Sequence, residues 1–236
     1  MEKRAPRLTE GSVGRHLVNM SLPMLLGITT MMAQAFIDTW FLGKVGDRAL
    51  AAYSFGFPIL MIVTSVAIGL GAGTSSVVAR AIGSEDHARA KRLSTDSLIL
   101  SLIIAIVCAV VGMLTIDPLF AVLGAPPDMM PTIRPFMMIL YSAVPFIMLG
   151  MVGTASMRAT GDTLLAGKLM IAAAVLNIVL DPVFIFGLGP IPAMGLNGAA
   201  IAGLLSRGAF FVVGTYYLRY RLDLVTFGKP DPVELR

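Results

Sequence analysis

Ser97-Leu98-Ile99-Leu100-Ser101-Leu102-Ile103-Ile104-Ala105-Ile106-Val107-Cys108-Ala109-Val110-Val111-Gly112-Met113-Leu114-Thr115-Ile116 carries no charged side chain and is bounded by Asp96 and Asp117. As a helix, a run of that length crosses a hydrocarbon core of about 30 Å, which needs roughly 20 residues. Residues 16–37, 49–79 and 135–157 are equally free of Asp, Glu, Lys and Arg. Between Lys168 and Arg219 lie two more apolar spans, each with one internal charge, Asp181 and Arg207. Gly187, Gly189, Pro190, Pro192 and Gly195 separate them. The pattern predicts an all-α integral membrane protein with six transmembrane helices near 17–43, 49–80, 95–115, 130–156, 164–187 and 197–219.

Composition agrees. Charged residues are 14% of the 236 and hydrophobic ones 56%, whereas a soluble domain carries roughly 25% charge. An ordinary soluble enzyme, a disordered chain and a nucleic-acid-binding domain are excluded, the net charge of +4 notwithstanding. The single cysteine, Cys108, excludes an intrachain disulfide and any Cys-built metal site.

Orientation follows from Lys and Arg. With the N-terminus inside, the cytoplasmic segments hold 14 of the 18: Lys3, Arg4, Arg7 and Arg15; Arg80, Arg89, Lys91 and Arg92; Arg158 and Lys168; Arg219, Arg221, Lys229 and Arg236. Outside are Lys44, Arg48 and Arg134, with Arg207 inside a span. Both termini are therefore expected in the cytoplasm, in a cell (plasma or inner) membrane. The first hydrophobic stretch is too long for a signal peptide and has no small-residue cleavage site, so it reads as the first helix.

A charge at membrane depth costs roughly 2.5–3.5 kcal/mol on insertion scales, so each one points to a site. Asp38 falls near the outer end of the first span, where a bound ion and a plain interfacial carboxylate anchored beside Trp40 are both open readings. Asn177 and Asp181 are four apart and share a helix face. A carboxylate with an amide oxygen one turn away is hard-oxygen chemistry suited to a proton or a small cation such as sodium; the bland alternative is a buried pair bonded to a neighbouring helix. Pro182 withdraws an N–H donor beside them and frees carbonyls nearby. Arg207 either neutralises Asp181, lines an aqueous cavity, or belongs to a last helix that starts later and puts it nearer the cytoplasm.

Pro23 is expected to bend the first helix, and Pro58 and Pro145 the second and fourth. Gly69-Leu70-Gly71-Ala72-Gly73 and Gly198-Ala199-Ala200-Ile201-Ala202-Gly203 are small-residue faces for close helix contact. The first is not a phosphate loop, because no Gly-Lys-Ser/Thr follows it. Residues 83–92 read as a short amphipathic surface helix running into the third span. The 16 methionines fill core and lipid-facing positions or line an adaptable cavity. His16 and His87 lie far apart, and no nucleophile–base or paired-carboxylate constellation is present, so no enzyme is expected.

Several segments occur in a telling order: Pro23; Ile37-Asp38-Thr39 with Phe41-Leu42-Gly43 and Ala49-Leu50-Ala51-Ala52; Gly69-Leu70-Gly71; Arg158-Ala159-Thr160-Gly161-Asp162; Leu176-Asn177-Ile178-Val179-Leu180-Asp181-Pro182; and Gly195-Leu196-Asn197-Gly198-Ala199-Ala200. Together, over roughly residues 10–222, they resemble the N-terminal lobe of multidrug and toxic compound extrusion (MATE) transporters. The resemblance implies one six-helix lobe of a twelve-helix, two-lobe antiporter that exports drugs or other organic, often cationic, compounds in exchange for protons or sodium. It implies a cation site at Asp38, Asn177 and Asp181, the only place for a metal ion being sodium there, and a bending role for Pro23. Tyr141 is a further cavity candidate beside Arg207. Where the family often has a cavity threonine, this chain has Gly203.

The expected organisation is a cytoplasmic tail over 1–15, a membrane lobe over 16–220, and a tail or inter-lobe linker over 221–236, with Lys229-Pro230-Asp231-Pro232 as its start. No cofactor is expected. The partners implied are an organic small molecule, the bilayer and a second six-helix lobe in a longer chain, a partner or a second copy; nucleic acid is not among them. The competing readings are a lipid-linked precursor flippase and a non-transporting membrane scaffold or fragment.

Overall fold

The computed structural model describes residues 13–188 and 190–225. Seven α-helices and one 3-10 turn, with no strand among the described residues, make up the chain. The helices are α1 (Val13–Val45), α2 (Asp47–Gly83), α3 (His87–Leu114), α4 (Ile116–Val122), α5 (Met130–Ala159), α6 (Thr163–Ile185) and α7 (Leu196–Tyr220). All but α4 are long and apolar enough to cross a membrane. The six predicted spans are all present, and the chain is a multi-pass membrane protein.

Two local features differ from expectation. The short α4 occupies the connection between the predicted third and fourth spans, 95–115 and 130–156. The amphipathic segment after Gly83 is the beginning of α3 itself, whose N-terminus is capped by the Asp86 carboxylate accepting from the Arg89 backbone N–H at 2.9 Å. The predicted linker at 229–232 and most of the N-terminal tail lie outside the described residues.

Pro23, Pro58, Pro145 and Pro182 all sit inside continuous helices. Several hydroxyls within the spans are satisfied locally: Thr30, Thr64 and Ser65 each donate to the carbonyl four residues back. In hydrocarbon this matters more than propensity, because an unpaired polar group has no water to turn to.

α5 is the most buried span and α1 the least. α5 packs on α2, α3 and α7; α7 packs on α6; α6 carries α1. Of the glycine run on α2, Gly71 meets Ala155 and the Met151 carbonyl of α5, while Gly69 and Gly73 face open space. Three methionines, Met137, Met148 and Met157, are fully buried on α5.

The ends pair by charge. Lys91 at the start of α3 meets Asp223, just past α7, at 2.8 Å, and Arg219 donates to the Val225 carbonyl. At the opposite end Arg48 binds the backbone carbonyl of Asp128, and Arg134 lies 3.7 Å from Asp117. These contacts put residues 91 and 223 on one side of the lobe.

Candidate functional site

α1 and α6 lie side by side in the same direction, and their register is fixed. The Pro23 carbonyl faces Gly167, Gly27 faces Met170, the Gln34 amide donates to the Asn177 side-chain oxygen, and the Phe41 ring meets Phe186 edge-on at 5.8 Å. Each α1 residue meets one 143 to 145 positions later. Gln34 and Asp38 are four apart on α1, as Asn177 and Asp181 are on α6, so the two helices present matching pairs. The outcome is a ladder of two polar rungs, Gln34 on Asn177 and Asp38 against Asp181.

On the upper rung Asp181 lacks a donor. Asp181 is 1% exposed and Asn177 2%. Neither Asp181 oxygen has a hydrogen-bond partner, nor does Asp38 Oδ1. Two carboxyls held together in apolar surroundings, one of them with no donor at all, call for a positive charge or a proton between them, since an uncompensated buried charge costs several kcal/mol. The available ligand atoms are hard oxygens from Asp38, Asp181 and Asn177, a set suited to a light cation. No group of three His, Cys, Asp or Glu forms a heavier-metal site among the described residues.

Two groups complete the electrostatics. Tyr53 of α2 and Arg207 of α7 both lie within charge-interaction range of Asp38 and Asp181. α7 begins at Leu196, so Arg207 stands in mid-helix and the later-start reading falls away. Side chains on a helix lean toward its N-terminus. The guanidinium accordingly reaches back to Gly203, where its Nη1 would lie 2.7 Å from a Cβ built on that residue.

The predicted residues thus divide. Asp38, Asn177, Asp181 and Arg207 come together. Pro23 lies lower on the same interface, its carbonyl 2.6 Å from the position a Gly167 Cβ would take. Tyr141 does not join them: it is 4% exposed in the core, and its ring covers Gly112 of α3 so closely that a Cβ there would clash with it. Tyr141 packs between α5 and α3. Gln34 and Tyr53 were not anticipated. The spacing that singled out Asn177 below Asp181 also picks Gln34 below Asp38; nothing in the apolar surroundings of Tyr53 does the same for it.

A family model described as MatE matches residues 23–183. The "FAD transporter" of Shewanella oneidensis is 44% identical over 199 residues, covering 84% of this chain and 44% of that protein. The "Probable multidrug resistance protein YoeA" of Bacillus subtilis is 30% identical over 219 residues, covering 92% and 47%. Among solved structures, the outward-facing conformation of a multidrug resistance MATE family transporter superposes with a TM-score of 0.87 at 32% identity, over all of this chain and 52% of that one. The chain spans about half the length of the curated relatives it matches. Its six spans, the paired rungs of α1 and α6 and these likenesses have one reading: the chain belongs to the MatE family.

Proposed function

We propose that the chain is one lobe of a cation-coupled exporter of organic compounds, with Asp38, Asn177 and Asp181 holding the coupling proton or sodium ion. One observation carries this reading: a fully buried carboxylate, Asp181, with both oxygens unpartnered, set against a second carboxyl inside an apolar bundle. A cation that neutralises the pair lowers the cost of the closed lobe, and a competing substrate makes the exchange obligatory. Both termini lie in the cytoplasm on this reading, in a cell membrane. The Lys and Arg distribution supports that, as does the Lys91–Asp223 pair joining two segments assigned to the same side. A second six-helix lobe closes the cavity.

The substrate is open to a second reading favoured by a specific feature. The relative from Shewanella oneidensis is called an FAD transporter, and Arg207 supplies a guanidinium beside the site, the group that pairs best with phosphate. Export of a phosphate-bearing dinucleotide is therefore a substrate class to set against cationic drugs.

Efflux from proteoliposomes, with proton and sodium gradients imposed separately, tests both. A fluorescent cationic dye and FAD are the two cargoes. Gradient-driven export of either, lost in Asp181→Asn, is the expected result; export that ignores both gradients defeats the coupling assignment.

A further inference from the structure

A guanidinium in the middle of a membrane-spanning helix is expensive to keep, and this one has a fitted resting place. Among the described residues no hydrogen bond or close ion pair holds Arg207, yet Asp38, Asp181 and Tyr53 are all within its electrostatic reach. Its guanidinium lies in the space beside Gly203 that any side chain at that position would fill. Gly203 and Arg207 are one turn apart on the same face of α7, so the absent side chain and the long cation are a matched pair. Asp181 meanwhile keeps two oxygens without a donor. The charges lie within electrostatic reach of one another with no hydrogen bond or close ion pair joining them.

We propose that Arg207 is a resident counter-ion that competes with the coupling cation for Asp38 and Asp181, with the Gly203 niche as its parking position. When a cation occupies the carboxyls, the guanidinium rests in the niche. When the cation leaves, rotation of a flexible side chain carries the guanidinium onto the vacated carboxylates, so that the emptied lobe is never left with an uncompensated pair. Arg207 is on this account a positioning residue that sets cation affinity through the site's charge. The inference rests on the cation-site reading of Asp38 and Asp181 above.

Carbodiimide labelling separates the two. Dicyclohexylcarbodiimide attacks a protonated carboxyl in an apolar site. Its addition to Asp181 can be followed by peptide mass spectrometry in membranes carrying the protein, titrated with sodium chloride and, separately, with acid. In whichever titration the wild type responds to, Arg207→Gln is expected to lower the half-effect cation concentration about tenfold, because a neighbouring positive charge has gone. Gly203→Thr is expected to raise it, because filling the niche drives the guanidinium onto the carboxylates. Arg207→Lys keeps the charge and should stay within threefold of the wild type, which guards against a folding defect. A merely structural Arg207 would not give opposite shifts in the two variants. If the wild type responds while Arg207→Gln and Gly203→Thr both match it within twofold, the counter-ion proposal is overturned and the cation site stands. If wild-type labelling answers to neither sodium nor acid, the cation site fails and the counter-ion with it.

Discussion

The carbonyl oxygen of Pro23 lies 2.6 Å from where a Cβ on Gly167 would stand, so α1 and α6 touch backbone to backbone at that level. Above this point the register carries Gln34 onto Asn177 and Asp38 onto Asp181. The glycine therefore sets how closely the two polar rungs approach, some three turns away from them. Gly167→Ala should push the helices apart at the contact. Overpacking of this kind costs about 1–3 kcal/mol, and a lowered melting temperature in detergent should report it. Gradient-driven export should fall with it; an unchanged melting temperature and export rate would mean that the contact has no such role.

Gln34 is the donor that satisfies Asn177. Gln34→Ala leaves a buried amide oxygen without its partner, a loss of about 1–3 kcal/mol in water-soluble proteins and nearer 0.6–2 kcal/mol between membrane helices. Gln34→Glu keeps the length but replaces the donor with an acceptor facing an acceptor, and should be worse than Ala. Denaturant titration of the purified variants ranks the three. Equal stability of all three would show that the rung is ornamental.

The same pair shows what the sequence could and could not disclose. Six spans were legible because charge is excluded from hydrocarbon, and Asp181 with Asn177 because a buried carboxylate demands a reason. Gln34 was legible by the same four-residue spacing, but an amide in a membrane helix costs less than a charge and so draws less notice. Tyr53 was not legible, since proximity to Arg207 depends on how α2 and α7 are placed. The packing of Tyr141 on Gly112 was not legible, because a polar tip says nothing about which neighbour its ring covers. The vacancy at Gly203 was visible as a missing hydroxyl; that the guanidinium four residues later takes up the space needed the structure.

Tyr141 supplies a control. Because its ring packs on Gly112 within the core, Tyr141→Phe should retain the cation response of Asp181 labelling and export at near wild-type rates. Tyr141→Ala should cost about 3–5 kcal/mol through the cavity it leaves. A Tyr141→Phe variant that lost cation response with normal stability would return the hydroxyl to the site.

Asp181→Asn keeps the side chain's size and its place beside Asn177 while removing the ionisable group. Insertion and expression should be unaffected, and coupled export should fall to the leak of empty vesicles. Asp38→Asn should do the same, because the upper rung needs both carboxyls to hold a positive charge. Wild-type export by either variant under the same gradient would remove that carboxyl from the cation site.

Arg207 and Asp38 are only partly buried in the six-helix bundle, and α1 is the least covered of its spans. Charged groups of that kind tolerate protein or water as neighbours and not lipid tails, so a single lobe in a bilayer would present them to the wrong solvent. Alternating access also needs two bodies that rock about a shared site. Export is therefore expected only where a second six-helix lobe is supplied. Two identical copies are the weakest source, since they would duplicate the carboxyl pair and place four acidic groups in one cavity. Proteoliposomes holding this chain at one copy per vesicle should show no gradient-driven efflux, and the same chain joined to the C-terminal half of a family member should recover it. Efflux from the single copy would show that one lobe suffices.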